Sequence, residues 1–177
     1  MPFPADIGIL CFASIFVFPR IRVQELKGVF AQAKAQGITV CADMTKRKNQ
    51  ETVQEMAEAL QYVDYLLPNE EEAMLVTGKR TAEEAAECLH AAGVGTVIIK
   101  CGAKGCFVKN REKAFWTPAV PNVTCVDTTG AGDSFVAGFL CGLSKGLALE
   151  ACVELANQCG AKAVQKIGAT SWITEGI

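Results

Sequence analysis

The sequence predicts an α/β protein: a mainly parallel sheet with helices flanking it in three layers. Three observations lead there. Short apolar, β-branched runs alternate along the chain with stretches of helical period. The changes of period fall mostly at Gly, Pro or a helix-capping residue. Half of the 177 residues are hydrophobic, which is ample for a buried core. No repeat, low-complexity tract or long linker interrupts the pattern, so residues 1–177 read as a single domain.

Taken in order, Ile7 to Phe12 reads as a strand. Arg20 to Gln36 reads as a helix with Val23, Leu26, Phe30 and Ala33 on one face, closed by Gly37. A strand from Ile38 to Ala42 and a helix from Glu51 to Gln61 follow. Val63 to Leu67 is a strand stopped by Pro68. Asn69 caps a short acidic helix, Glu70 to Val76, which ends at Gly78. Thr81 caps another, Ala82 to Ala92, with Glu84 completing a capping box. Thr96 to Lys100 and Gly105 to Lys109 are strands in or near a hairpin, and Phe115 to Pro118 is a short strand. Two helices close the chain, Ala131 to Lys145 and Leu149 to Val164.

Composition excludes several classes of function. Formal net charge is -2, and the one basic cluster, Lys46-Arg47-Lys48, reads as a solvated loop, so no nucleic-acid footprint is present. The apolar run Ile7 to Phe18 is too short to span a bilayer and lacks the basic lead of a signal peptide. No membrane association is expected. The nine cysteines form no Cys-x-x-Cys pair and sit mostly in apolar runs, which fits a reducing cytoplasm. The single His, His90, reads as a helix surface position, and no zinc-ligand spacing occurs.

The most informative stretch is Asp127-Thr128-Thr129-Gly130-Ala131-Gly132-Asp133-Ser134-Phe135, which leads into an apolar helix. Turn formers and a Gly-Ala-Gly step place a small-residue loop at a helix N-terminus. The N–H groups of Gly130, Ala131, Gly132 and Asp133 are then positioned to bind an anion, phosphate above all. A carboxylate at that point would repel a phosphate that was merely bound. Asp133 makes sense there as a base that takes a proton from a hydroxyl attacking a phosphoryl group. The alternative is a cap and a turn.

This run resembles the C-terminal signature of the ribokinase-like (PfkB) carbohydrate kinases, Asp-Thr-x-Gly-Ala-Gly-Asp before a small and aromatic helix. The resemblance implies a ribokinase-like fold, ATP and magnesium as cofactors, a small sugar as acceptor and Asp133 as catalytic base. It also gives other residues roles that local structure alone would not. Asn69 and Glu72, locally a helix cap, match an Asn-x-x-Glu that organises magnesium. Lys100, Gly102 and Gly105, locally a hairpin turn, match the nucleotide-binding turn, with Lys where relatives often carry Thr. Thr128 belongs to the same nucleotide-binding set. Asp127 and Thr129, locally an Asx turn, match positions holding a monovalent cation, potassium, whose other ligands come from near Ala163, Lys166 and Gly168. There the usual Ser comes early and Trp172 intrudes. Asn157 lies where relatives pack against adenine, and equally reads as a helix surface residue. Asp43 matches an Asp-x-Asn only in part, since Thr45 stands at the Asn position, and it receives no catalytic role.

The resemblance covers only the C-terminal, nucleotide-binding portion of the family pattern. The N-terminal part, with its Gly-Gly signature and lid strands, has no counterpart here. A sheet shortened on one side leaves an apolar edge, so the sequence leads to the expectation of a homo-oligomer formed through that edge.

Two main readings follow: a sugar kinase, fructokinase-like or 2-keto-3-deoxygluconate kinase-like, and a truncated nucleotide-binding remnant without kinase activity. A dinucleotide-binding Rossmann enzyme fits less well, because Gly130-Ala131-Gly132 lacks the third glycine and lies late in the chain.

Overall fold

The computed structural model describes residues 2–173. The chain gathers into two compact units, one of the residues up to Cys101 together with Phe107–Phe115, the other of Gly102–Cys106 together with the residues from Trp116 onward.

The first unit carries most of the sheet. Strands β1 (Ile9–Ile15), β2 (Thr39–Met44), β3 (Tyr65–Leu66), β4 (Thr96–Lys100), β5 (Cys106–Asn110) and β6 (Ala114–Thr117) lie in sequence order across it. From β1 to β4 neighbouring strands run parallel, with Cys11 opposite Cys41 and Leu66 opposite Val97. Helices α1 (Val23–Ala35), α2 (Val53–Leu60), α3 (Glu70–Thr77) and α4 (Ala82–Ala91) make the crossovers. The alternation of periods was therefore a sound guide to an α/β fold. Val40, Cys41 and Ala42 in β2 and Val97, Ile98 and Ile99 in β4 are fully buried, as expected of central parallel strands covered on both faces.

The core beneath α1 forms because Leu26, Phe30 and Ala33 recur at helical spacing and all become buried. Phe30 meets Phe12 of β1 edge-on, with ring centroids 5.7 Å apart. Full burial of a side chain of this size contributes about 1.5–3 kcal/mol. Capping fixes the helix starts. Thr52 and Asn69 each exchange hydrogen bonds with the Glu three residues on, and Thr81 accepts the Glu84 N–H.

Boundaries differ from the sequence reading where tertiary contacts decide them. β1 runs on to Ile15, because an irregularity after Phe12 lets Ile15 rejoin β2 opposite Met44. α1 begins at Val23, since Glu25 reaches back to the Arg22 N–H at 3.0 Å and sets the cap there. β3 shortens to two residues. β5 lies beside β4, but its tight turn leads to β6, closed by Asn110 N–H donating to Lys113 O at 3.0 Å.

The second unit contains α5 (Ala131–Ser144) and α6 (Leu149–Ala163), packed on each other. Their approach depends on small residues. A Cβ at Gly138 would lie 2.9 Å from the Ala156 Cα and from the Cys159 Sγ.

Candidate functional site

In the second unit the chain enters α5 through the loop the sequence singled out. Val126 and Asp127 both donate their N–H to Val164 O, at 2.7 and 3.2 Å. The Asp127 carboxylate then organises the turn. Its Oδ1 accepts from the Thr129 N–H at 2.9 Å and from the Thr129 hydroxyl at 2.7 Å. Its Oδ2 accepts from the Gly168 N–H at 2.8 Å. The Gly168 and Thr129 donors hold this carboxyl below the usual carboxylate range.

Gly130 is the N-cap of α5, with φ +75°. An added Cβ there would sit 2.7 Å from the Ala169 Cα, so both backbone angle and space require glycine. Ser134 N–H donates to Gly130 O at 2.8 Å, and Ala131 N–H is taken up by Thr128 O at 3.1 Å. Among the described residues, the N–H groups of Gly130, Gly132 and Asp133 meet no protein acceptor. They are the orphan donors of a helix start, free to hold an anion. Asp133 sits among them in the first turn with its side chain exposed. Ser134 is buried, and its Oγ receives the Trp172 indole N–H at 3.1 Å. Gly168, Ala169 and Trp172 thus all bear on this turn.

Of three other candidates in this unit, Gly105 and Asn157 have structural work to do. Gly105 has φ +95°, and a Cβ there would lie 2.0 Å from Thr117 O, so it is glycine because the 117–119 segment crosses it. Gly102 opens a 3-10 turn, Gly102–Lys104, and is exposed. The Asn157 amide donates to Pro118 O at 3.3 Å and reaches the Cys106 Sγ at 3.8 Å. It fastens that segment to α6.

The first unit holds a separate charged group at the carboxyl ends of its parallel strands. Asn69 and Glu72 form a reciprocal capping box, with Asn69 N–H to Glu72 Oε2 and Glu72 N–H to Asn69 Oδ1, both 2.9 Å. Burial pushes the Glu72 carboxyl up, the Asn69 N–H pulls it back, and the charges of Asp43 and Lys100 act on it in opposite directions. Lys100 N–H donates to Pro68 O at 2.9 Å, and Lys100 bridges to Asn69 across the strands. The Lys100 Nζ lies 2.6 Å from Asp43 Oδ2, with the two side chains only 13% and 11% exposed. Among the described residues no group of three or more His, Cys, Asp or Glu gathers as a metal cage. The oxygens of Asn69 and Glu72 suit magnesium, which keeps several waters and needs few protein ligands.

With this geometry in view, comparison with known proteins decides the family. The model of the pfkB family carbohydrate kinases matches residues 4–175. The chain belongs to the pfkB family.

Among curated relatives of this pfkB chain, a cytidine kinase of Thermococcus kodakarensis is 31% identical over 160 residues, covering 88% of this chain and 57% of the relative. The fructoselysine 6-kinase of Escherichia coli is 34% identical over 140 residues, 79% of this chain and 50% of the relative. The chain spans about half the length of the curated relatives it matches. Among solved structures, a fructokinase from Vibrio cholerae in fructose-, ADP- and calcium-bound form superposes with a TM-score of 0.84 at 28% identity, over 98% of this chain and 59% of that one. Arabidopsis thaliana ribokinase complexed with ribose and ATP gives 0.80 at 28%, over 95% and 53%. The ribokinase-like fold expected from the signature is therefore present. Among the described residues, no helix is long and apolar enough to cross a membrane.

Sequence reasoning missed two relationships of this pfkB chain. The Asp43–Lys100 pair joins residues 57 apart on different strands. The Trp172–Ser134 contact joins residues 38 apart. Neither has a local pattern. The one available sign was that Asp43 and Lys100 both end apolar strands, where a charge has little other reason to stand.

Proposed function

We propose that the chain carries out ATP-dependent phosphoryl transfer to a sugar hydroxyl, with a hexose or keto-sugar acceptor of the fructokinase or 2-keto-3-deoxygluconate kinase type. The observation that carries the reading is the exposed Asp133 carboxylate beside N–H groups that meet no acceptor among the described residues. Asp133 takes the proton of the attacking hydroxyl. The hydroxyl oxygen then bonds to the terminal phosphorus, the bond to the bridging oxygen breaks, and ADP leaves. The N–H groups of Gly130, Gly132 and Asp133 hold the charge on the transferred group. Ala131 supports that turn through its bond to Thr128 O. Asn69 and Glu72 would hold magnesium, chiefly through waters, and the ion would supply neutralisation of polyphosphate charge. Lys100, Gly102, Gly105, Thr128 and Asn157 serve the nucleotide, the last partly by anchoring the 117–119 segment. Asp127 and Thr129 serve a monovalent cation, potassium.

Solved relatives support the cofactors: the Vibrio cholerae fructokinase carries ADP with calcium in one structure and with potassium in another. The proposal places the chain in a reducing, cytoplasmic compartment, in keeping with nine free cysteines. It also has the chain self-associating through β1, the terminal strand of the sheet order, whose Ile9, Leu10, Cys11 and Phe12 are only half-buried. A monodisperse monomer in sedimentation at tens of micromolar would overturn that part.

The chain's span of about half its relatives' length favours a second reading, a nucleotide-binding portion that turns over no sugar by itself. Calorimetry with ATP and magnesium, followed by a sugar panel assayed for ADP release, separates the two. Binding with release supports the kinase, binding without release supports the second reading, and no binding defeats both.

A further inference from the structure

Lys100 and Asp43 stand at the ends of β4 and β2, at the carboxyl edge of the parallel strands. In open α/β sheets that edge is where ligands bind. The pair is nearly desolvated, at 13% and 11% exposure. A desolvated ion pair gives little net stability over apolar residues of the same volume, so stability alone is a poor account of it. Its two members are not equally fixed. Asp43 Oδ1 accepts the Met44 N–H at 2.8 Å, which pins the carboxylate to its own strand. The Lys100 ammonium sits on a flexible four-carbon stem with three donors. Glu72 places a second carboxylate in the same electrostatic neighbourhood.

We infer that Asp43 is the resident counter-ion of Lys100, holding its ammonium until the polyphosphate of a nucleotide takes the carboxylate's place. The inference rests on the nucleotide-binding reading and deepens it. Asp43 becomes a positioning residue, acting on the ligand only through Lys100. The exchange needs no net loss of charge pairing for the lysine, because a phosphate oxygen offers the ammonium the same charge-assisted hydrogen bond as the carboxylate. Asp43 therefore competes with the ligand, and this gives the two residues opposite signatures. A pair kept only for structure would make them behave alike.

The test titrates inorganic tripolyphosphate, without metal and at fixed low ionic strength, into wild type, Lys100→Met, Asp43→Asn, Asp43→Ser and the charge-balanced Asp43→Asn/Lys100→Met double variant. Magnesium-ATP is titrated in parallel, and folding is checked by circular dichroism and melting. Lys100→Met and the double variant should bind tripolyphosphate about ten-fold or more weakly, as befits loss of a hydrogen bond to a charged group. The Asp43 variants should bind it several-fold more tightly. Weaker binding in a folded Asp43 variant, or unchanged binding in Lys100→Met, would overturn the inference. So would the failure of both Asp43 variants to fold, since the pair would then be structural. If magnesium-ATP binds wild type but ignores Lys100→Met, this inference falls while the nucleotide reading stands. If neither ligand binds, both fall.

Discussion

The Asp127 carboxylate accepts the Gly168 N–H at 2.8 Å, tying the loop ahead of α5 to the segment that follows α6 across 41 positions. Its carboxyl is held low by the Gly168 and Thr129 donors. A depressed folded value means the contribution is fully present above the unfolded value, near 3.9, and is lost as pH falls through the folded one. Asp127→Asn presents an amide N–H₂ to one of these donors and should melt earlier than wild type at pH 7. The difference should shrink below about pH 4, followed by thermal denaturation across that range. A constant difference down to pH 2 would contradict the linkage.

Asp133→Asn keeps shape and helix-start position while removing the carboxylate that the proposed function makes the base. Turnover with a productive sugar should fall by about 10²–10⁴, with ATP affinity within about three-fold of wild type. The side chain is exposed, so the melting temperature should hardly move. Steady-state ADP release together with calorimetry checks both halves. Retention of more than a tenth of the wild-type rate would remove Asp133 from the role.

Gly130→Ala should fail structurally before it fails chemically. The position has φ +75°, and the added methyl meets the Ala169 backbone at 2.7 Å. The left-handed conformation alone costs about 1–2 kcal/mol for a residue with a Cβ, and the backbone collision adds to it. Chemical denaturation should show a loss of at least that size, with ATP binding weakened in parallel. Gly102→Ala, also at positive φ but with nothing within 4 Å of the added atom, should lose less.

The thiols divide by burial. Cys125 and Cys141 are exposed, whereas Cys41 is buried and its thiol is pushed up to about 12 by desolvation. Only the thiolate reacts. Maleimide at pH 7.5 should therefore modify Cys125 and Cys141 within minutes and leave Cys41 untouched until the chain is denatured. Peptide mass mapping distinguishes them.

Most of the fold was legible because its signals are local. Leu26, Phe30 and Ala33 announced a buried helix face, and Asn69 with Glu72 announced a cap, as the structure shows. The loop into α5 was legible for the same reason, since Gly130 and Asp133 are close neighbours in the chain. Where the ends of β1 and β3 fall was not, because contacts with β2 and β4 set them. The Ala131 N–H was counted among the anion donors, yet the turn itself occupies it through Thr128 O. That depends on the backbone path through Gly130, which residue identity alone does not specify. Gly105 and Asn157 likewise owe part of their character to the 117–119 segment, which lies beside them only after folding.

The close seating of Gly138 on Ala156 and Cys159 carries an implication for tuning the chain. Helix α5 acts as a stiff lever whose far end bears Asp133, five positions away. A side chain wedged under Gly138 would tilt that lever and swing the Asp133 carboxylate with it, although Asp133 itself is unchanged. Displacements of about 1 Å at a reacting centre can cost about 100-fold in rate. On the proposed function, the unadorned surface between two helices thus governs the aim of the Asp133 carboxylate as firmly as any group that touches a ligand.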